Sequence, residues 1–156
     1  DYKAARYYSS ELLRTCDAIF ERNPQRATHL SGQFIPRWMR FEQELYKNGK
    51  TEGADELLAT RTAYWRRLLI VNPTICPEWY QFYKSKNEES ICTRIKVKIQ
   101  QICSTELASK APDEAVLAGG IRFFRDTGFT SESEELKKRS LAILGETKRT
   151  LMLQKL

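Results

Sequence analysis

No stretch of this chain approaches the roughly 20 consecutive apolar residues that a membrane-crossing helix needs. No two cysteines stand at the C-x-x-C spacing of a zinc or redox site, and the single histidine, His29, is far in sequence from all four of them. A metal site is therefore not expected, and Cys16, Cys76, Cys92 and Cys103 read as buried reduced thiols. His29 falls in Thr28-His29-Leu30-Ser31-Gly32, which reads as a polar loop with neither a base nor a nucleophile beside it. No glycine-rich phosphate loop is present. Gly119-Gly120 lies inside an apolar helical stretch and reads as a small pair that lets helices approach closely. With these absences, no catalytic residue and no cofactor is expected, and the chain does not read as an enzyme.

Neither sign of charge dominates. The net charge is +6, and residues 1–78 carry 12 basic and 10 acidic side chains against 14 and 10 in the remainder. Such a surplus permits an acidic partner without demanding one. The first residues, DYKAARYYSSELL, have neither the apolar centre nor the cleavage site of a signal peptide. They also lack an initiator methionine, so the chain is expected to be a fragment of a longer protein.

What is present is helical periodicity. Leu12, Leu13, Cys16, Ile19 and Phe20 share one face of a first helix that should stop before Asn23-Pro24. A second is expected over 34–46, with Trp38, Phe41 and Leu45 on one stripe and Gly49 in a left-handed cap after it. A third spans about 52–70, carrying Leu57, Leu58, Tyr64, Trp65, Leu68 and Leu69, and Asn72-Pro73 ends it. The fourth starts near Pro77 and presents Trp79, Phe82 and Tyr83.

Arg94-Ile95-Lys96-Val97-Lys98-Ile99 alternates as a strand does. Yet Ile91, Ile95, Ile99 and Ile102 recur at helical steps over the wider window, so a fifth helix is expected. Ala111-Pro112-Asp113 opens a sixth that runs to about Asp126. Ser131 and Glu134 have the spacing of a capping box for a seventh, with Leu136, Leu141, Ile143 and Leu144 inside and Gly145 as its end or kink.

Pro36-x-Trp38-x-x-Phe41 and Pro77-x-Trp79-x-x-Phe82 write the same pattern twice, and the two tryptophans lie 41 residues apart. A two-helix unit of that length cannot bury its apolar face alone, so such units stack. Trp38 and Trp79 are the expected wedges within their hairpins. Burial of such a side chain is worth roughly 2–3 kcal/mol. The fold expected is all-α: about seven helices in a right-handed solenoid of antiparallel pairs. The divisions are a leading helix over 1–24, repeats over 34–73 and 77–110, and a third repeat or C-terminal cap over 112–156.

Trp38-x-x-Phe41-x-x-Glu44, Gly49, Tyr64-Trp65-Arg66-Arg67-Leu68-Leu69, Asn72-Pro73 and Trp79 together resemble the HAT (half-a-tetratricopeptide) repeat. Ala18-Ile19-Phe20-Glu21-Arg22-Asn23-Pro24 is similar to that family's second-helix signature. On this resemblance Trp38, Phe41, Gly49, Trp65, Pro73, Trp79 and Phe82 are the structural repeat positions. The third copy departs from the pattern, with Leu117 at the tryptophan position and Gly120 at that of Phe41. Another tetratricopeptide-like or HEAT-like stack, or an unrelated helical bundle, stays open beside it.

The resemblance implies a non-catalytic scaffold in a nuclear RNA-processing assembly: pre-mRNA splicing, 3′-end formation or pre-ribosomal RNA processing. It implies protein subunits as partners, and self-association in some members. Phe34, Tyr46, Tyr80 and Tyr83 are candidate docking aromatics. An alternative is direct RNA contact through a basic stripe of Arg61, Arg66, Arg67, Arg94, Lys96, Lys98, Lys137, Lys138 and Arg139. A third reading is a secreted or host-targeted helical effector stapled by its cysteines.

Overall fold

The computed structural model describes residues 2–23, 25–26, 29, 33, 37, 40–41, 44–45, 47–50 and 62–156. Among the described residues all regular structure is helical, with no strand. The chain divides into two compact units, Asp1–Trp65 and Arg66–Leu156. No helix among the described residues is long and apolar enough to cross a membrane.

In the first unit, helix α1 spans Tyr2–Arg22 and stops where Asn23-Pro24 predicts. Asn23 does more than end it. Its Oδ1 accepts from the Arg26 backbone N–H at 3.1 Å, as an N-cap does, and helical backbone resumes at Gln25. His29 is consequently helical and exposed, with its Nε2 3.5 Å from Gln33 Nε2 one turn on. The polar loop expected around His29 is thus corrected at that residue. Residues 33, 37, 40, 41, 44, 45 and 47 are helical as well. Trp38, Phe34 and Tyr46 lie outside the described residues, as do positions 51–61 of the expected third helix, Arg61 among them.

Residues 62–71 are helical, and the last turn closes with Asn72 N–H donating to the Leu68 carbonyl at 2.9 Å. Beyond it the second unit is built from α2 (Ile75–Ser85), α3 (Glu89–Leu107), α4 (Glu114–Asp126), α5 (Thr130–Ile143) and α6 (Glu146–Gln154). Six helices are therefore delimited among the described residues, where about seven were expected. The C-terminal segment accounts for one difference. Leu144 and Gly145 adopt extended backbone, so Gly145 separates two helices. Ile143, expected inside, is exposed, and the buried positions on α5 go to Ser133, Leu136 and Ser140. The two serines satisfy their hydroxyls on the carbonyls of Ile121 and Leu136, at 3.0 and 2.7 Å.

The alternating segment of α3 is helix because its isoleucines bury as one stripe: Ile91, Ile95, Ile99 and Ile102 are all in the core. α3 packs against α4, whose Val116, Leu117, Ile121, Phe123 and Phe124 are buried as well, and Tyr80 of α2 is also in the core. Tyr80 sets its ring edgewise on Phe123 and Phe129, with centroids 5.9 and 5.7 Å apart. Pro77 is the third residue of α2, after the Thr74 cap. A proline is tolerated there because the first N–H groups of a helix have no intrahelical acceptor.

Three helix ends close in the same way. After α2, Asn87 takes φ 57°, with Glu88 N–H on the Tyr83 carbonyl at 3.0 Å and Asn87 N–H on that of Lys84 at 3.1 Å. After α4, Gly128 takes φ 87°, with Phe129 N–H on Phe124 and Gly128 N–H on Arg125, at 2.7 and 3.2 Å. These are Schellman closures, which need one left-handed residue each. In the first unit Gly49 takes φ 70°, and Lys50 N–H donates to the Leu45 carbonyl at 2.8 Å.

The closure at Gly128 also overturns the expected capping box. It turns the chain so early that Phe129 becomes the N-cap of α5, with no side-chain bond, and Ser131 lies inside the helix. Asn87 is the one described non-glycine residue with positive φ. Asn87→Ala should therefore lose about 1 kcal/mol of unfolding free energy, read by urea denaturation. Asn87→Gly should lose nothing.

Candidate functional site

The basic residues of the proposed stripe are mostly committed inside the fold. Arg66 forms a fork on Glu106, Nε to Oε2 at 3.1 Å and Nη2 to Oε1 at 3.2 Å. Its Nη2 also lies 3.6 Å from Asp113 Oδ2. The hydrogen bond to Glu106 holds the Arg66 pKa above its ordinary value, against the opposing effect of burial. Lys96 reaches Glu132 at 2.9 Å and stands over the Phe129 ring at 3.6 Å from its centre. Lys98 is buried on α3. Arg67 and Arg94 are half-buried, and each has an interaction partner. Lys137 is half-buried. Lys138 and Arg139 are left exposed on α5, with no ion pair among the described residues, and Glu134 and Glu135 precede them on the same helix.

The Lys96–Glu132 pair makes a direct prediction. The Lys96 hydrogen bond, with help from a backbone N–H, holds the Glu132 carboxyl below its ordinary value. A depressed carboxylate pKa contributes stability above the unfolded value and loses it as pH falls through the folded one. Carbon-detected NMR titration should place the Glu132 midpoint below those of exposed glutamates. Lys96→Met should bring it back up.

Alongside this clasp runs an open groove of about 470 Å³. Its floor and walls are Cys103 and Leu107 of α3, Phe124 of α4 and Leu136 of α5. Gln100, Ser104, Glu135 and Arg139 are polar at its edges. Small Ser131 and Ser104 are among the lining residues, while Phe124, Cys103 and Leu136 beneath them belong to the buried core. The groove is apolar with mixed charge along the edges, which suits an amphipathic segment better than a polyanion.

The remaining sequence candidates are scattered. Trp65 is fully buried, and Pro73, Trp79 and Phe41 are half-buried. Phe82 is 54 % exposed, with Tyr83 edge-on at 5.2 Å and Lys86 at 5.8 Å over its ring. Of the aromatics considered for docking, Tyr80 belongs to the core and Tyr83 is half-buried.

Cys76, Cys92 and Cys103 are free and buried. Burial raises all three thiol pKa values, that of Cys103 to about 12. Among the described residues, no group of histidine, cysteine and carboxylate side chains is placed to hold a metal ion. Sequence reasoning missed Glu106 and Asp113, the acceptors that occupy Arg66, and missed the groove. Neither has a local sequence signal: Arg66 is 40 residues from Glu106 and 47 from Asp113, and the groove draws on residues from Gln100 to Arg139.

Comparison with family models, with curated proteins and with solved structures returns no match for this chain. The functional reading therefore stands on geometry and on the sequence resemblance.

Proposed function

We propose that this chain is a non-catalytic protein-binding module, built as a right-handed solenoid of HAT-like helix pairs and serving an RNA-processing assembly. The observation that carries the architecture is the recurrence of one turn. The left-handed residues Gly49, Asn87 and Gly128 lie 38 and 41 residues apart, near the forty-residue unit that the resemblance implies. Helix contacts in the second unit support it. Each extensive contact joins neighbours in sequence, or next neighbours as in α2 with α4, α3 with α5 and α4 with α6. That is the nearest-neighbour pattern of stacked hairpins.

The groove between α3 and α5 is the docking surface in this reading, taking an apolar helix or peptide face while Glu135 and Arg139 select its flanking charges. The RNA-processing assignment rests on the resemblance alone. Affinity purification of the tagged chain from cells tests it. RNA-processing subunits should co-purify, and Ser104→Arg, which fills the groove from an exposed position, should lose them without unfolding the protein. Partners of another class, or capture unchanged by Ser104→Arg, would overturn the assignment or the surface respectively.

Direct RNA contact is disfavoured by the commitment of Arg66, Lys96 and Lys98. It would return if RNA binding at 50 mM salt (an ionic strength of about that order shows phosphate contacts clearly) were abolished by Lys138→Glu with Arg139→Glu.

A further inference from the structure

Helix α6 is held to the fold in a different way from its neighbours. Of its nine residues only Met152 is buried, and fully so, while Leu151 and Leu153 beside it are exposed. By contrast α3 and α4 each bury eight residues. The N-cap of α6 is Gly145, which has no side chain to close the first turn, whereas Asp113 caps α4. A helix of nine residues is not stable alone in water, so α6 persists only while it is docked.

The other ties of α6 are polar, and each uses a cationic side chain. Lys148 Nζ donates to the Pro112 carbonyl. Lys155 Nζ reaches Glu114 Oε1 at 3.2 Å, and Arg125 Nη1 donates to the Leu156 carbonyl at 2.7 Å. The Lys155 and Arg125 side chains are close to half exposed, so water and salt compete for both ties. Packing beneath the helix is incomplete as well. A cavity of about 240 Å³ lies among Gln154 and Lys155 of α6, Ala115 and Ala118 of α4, and Leu69, Ile70 and Pro73. Among the described helices, the one extensive contact of α6 is with α4.

We propose that α6 is a displaceable strap, which undocks and melts as a unit while α3 and α4 stay folded. One apolar anchor and three cationic ties set the closed state, and opening uncovers the cavity walls at Ala115 and Ala118. Access to this face of α4 is thereby coupled to ionic strength. The strap does not involve the groove between α3 and α5, so either reading stands if the other fails.

Native-state hydrogen exchange on the whole chain tests this. The amides of residues 150–153 should share one opening constant, about a hundredfold or more above that of the α3 and α4 interiors. Raising sodium chloride from about 50 to about 500 mM should increase it a few-fold and leave α3 unchanged. Lys155→Gln should raise it about two- to fivefold at low salt and reduce the salt effect. Met152→Ala should raise it about thirtyfold or more, again without touching α3. Exchange of residues 150–153 at the rate of the α3 interior, or global unfolding of Met152→Ala, would make α6 part of one cooperative unit and overturn the strap. Protection graded along the helix would mean simple fraying, and no protection would mean that α6 is not seated; either result would overturn it too.

Discussion

Gly120→Ala is expected to destabilise the protein by about 1–3 kcal/mol, and the same substitution in a Cys103→Ala background is expected to be nearly neutral. A Cβ on Gly120 would stand 2.2 Å from the Cys103 sulfur, far inside contact distance, while the next atoms, Leu136 Cδ2 and Cys103 Cβ, are at 3.2 and 3.9 Å. One sulfur atom therefore decides the sign. With it in place, the methyl must drive α3 away from α4 or force the thiol off its rotamer inside a closed interior. Without it, the methyl fills the vacated volume, and alanine's higher helix propensity contributes about 1 kcal/mol in its favour.

The double-mutant cycle isolates this contact. Urea unfolding of the four proteins should give a coupling energy of about 1 kcal/mol or more with the m-value unchanged. Additive losses would mean that α3 and α4 are less closely packed than they stand here. Gly119→Ala is the contrasting case. Its Cβ would meet the Leu69 carbonyl oxygen at 2.6 Å and Leu69 Cβ at 2.9 Å. A backbone atom cannot be mutated away, so Leu69→Ala should not restore that variant.

The close approach was legible in the sequence because two consecutive glycines in an apolar helix have little other purpose. Helix identity was legible for a related reason: apolar spacing at Ile91, Ile95, Ile99 and Ile102 outweighed a six-residue alternation. Register was harder. Counted from the left-handed residues, Phe41, Trp79 and Gly120 share one position, eight residues before Gly49, Asn87 and Gly128. Trp38 corresponds instead to Cys76 and Leu117, eleven residues before. The repeated P-x-W-x-x-F thus sets its two copies one helical turn out of phase, and Phe82 lands on the exposed face of α2. A spacing read from large side chains alone does not show this, because the left-handed residue between α2 and α3 is an asparagine within a polar stretch and not a glycine. The pairing of the basic residues is likewise not legible in the sequence. Sequence shows where cations lie along a helix, and only the folded chain shows that Glu106 and Glu132 face them.

Glu106→Ala is expected to remove about 2–4 kcal/mol of stability, a large part of the margin of a domain this size. Glu106 is 7 % exposed at its side chain and serves two helices at once. Its carboxylate takes the Arg66 fork, and Oε1 also accepts the Asp113 backbone N–H at 2.7 Å. Asp113 in turn caps α4, with Oδ1 accepting from Ala115 N–H at 2.9 Å. Removing the carboxylate leaves a half-buried guanidinium short of acceptors and frees the residue that starts α4. Arg66 is 43 % exposed at its side chain and can still turn to water, so its share of the loss is the smaller one. The order expected from urea unfolding is therefore Glu106→Ala worst, Glu106→Gln intermediate because one oxygen still accepts, and Arg66→Met mildest. Amide exchange gives an independent reading: the Asp113 N–H should lose protection in Glu106→Ala and keep it in Arg66→Met. If Arg66→Met proved the more damaging, the ion pair rather than the helix start would be what Glu106 secures.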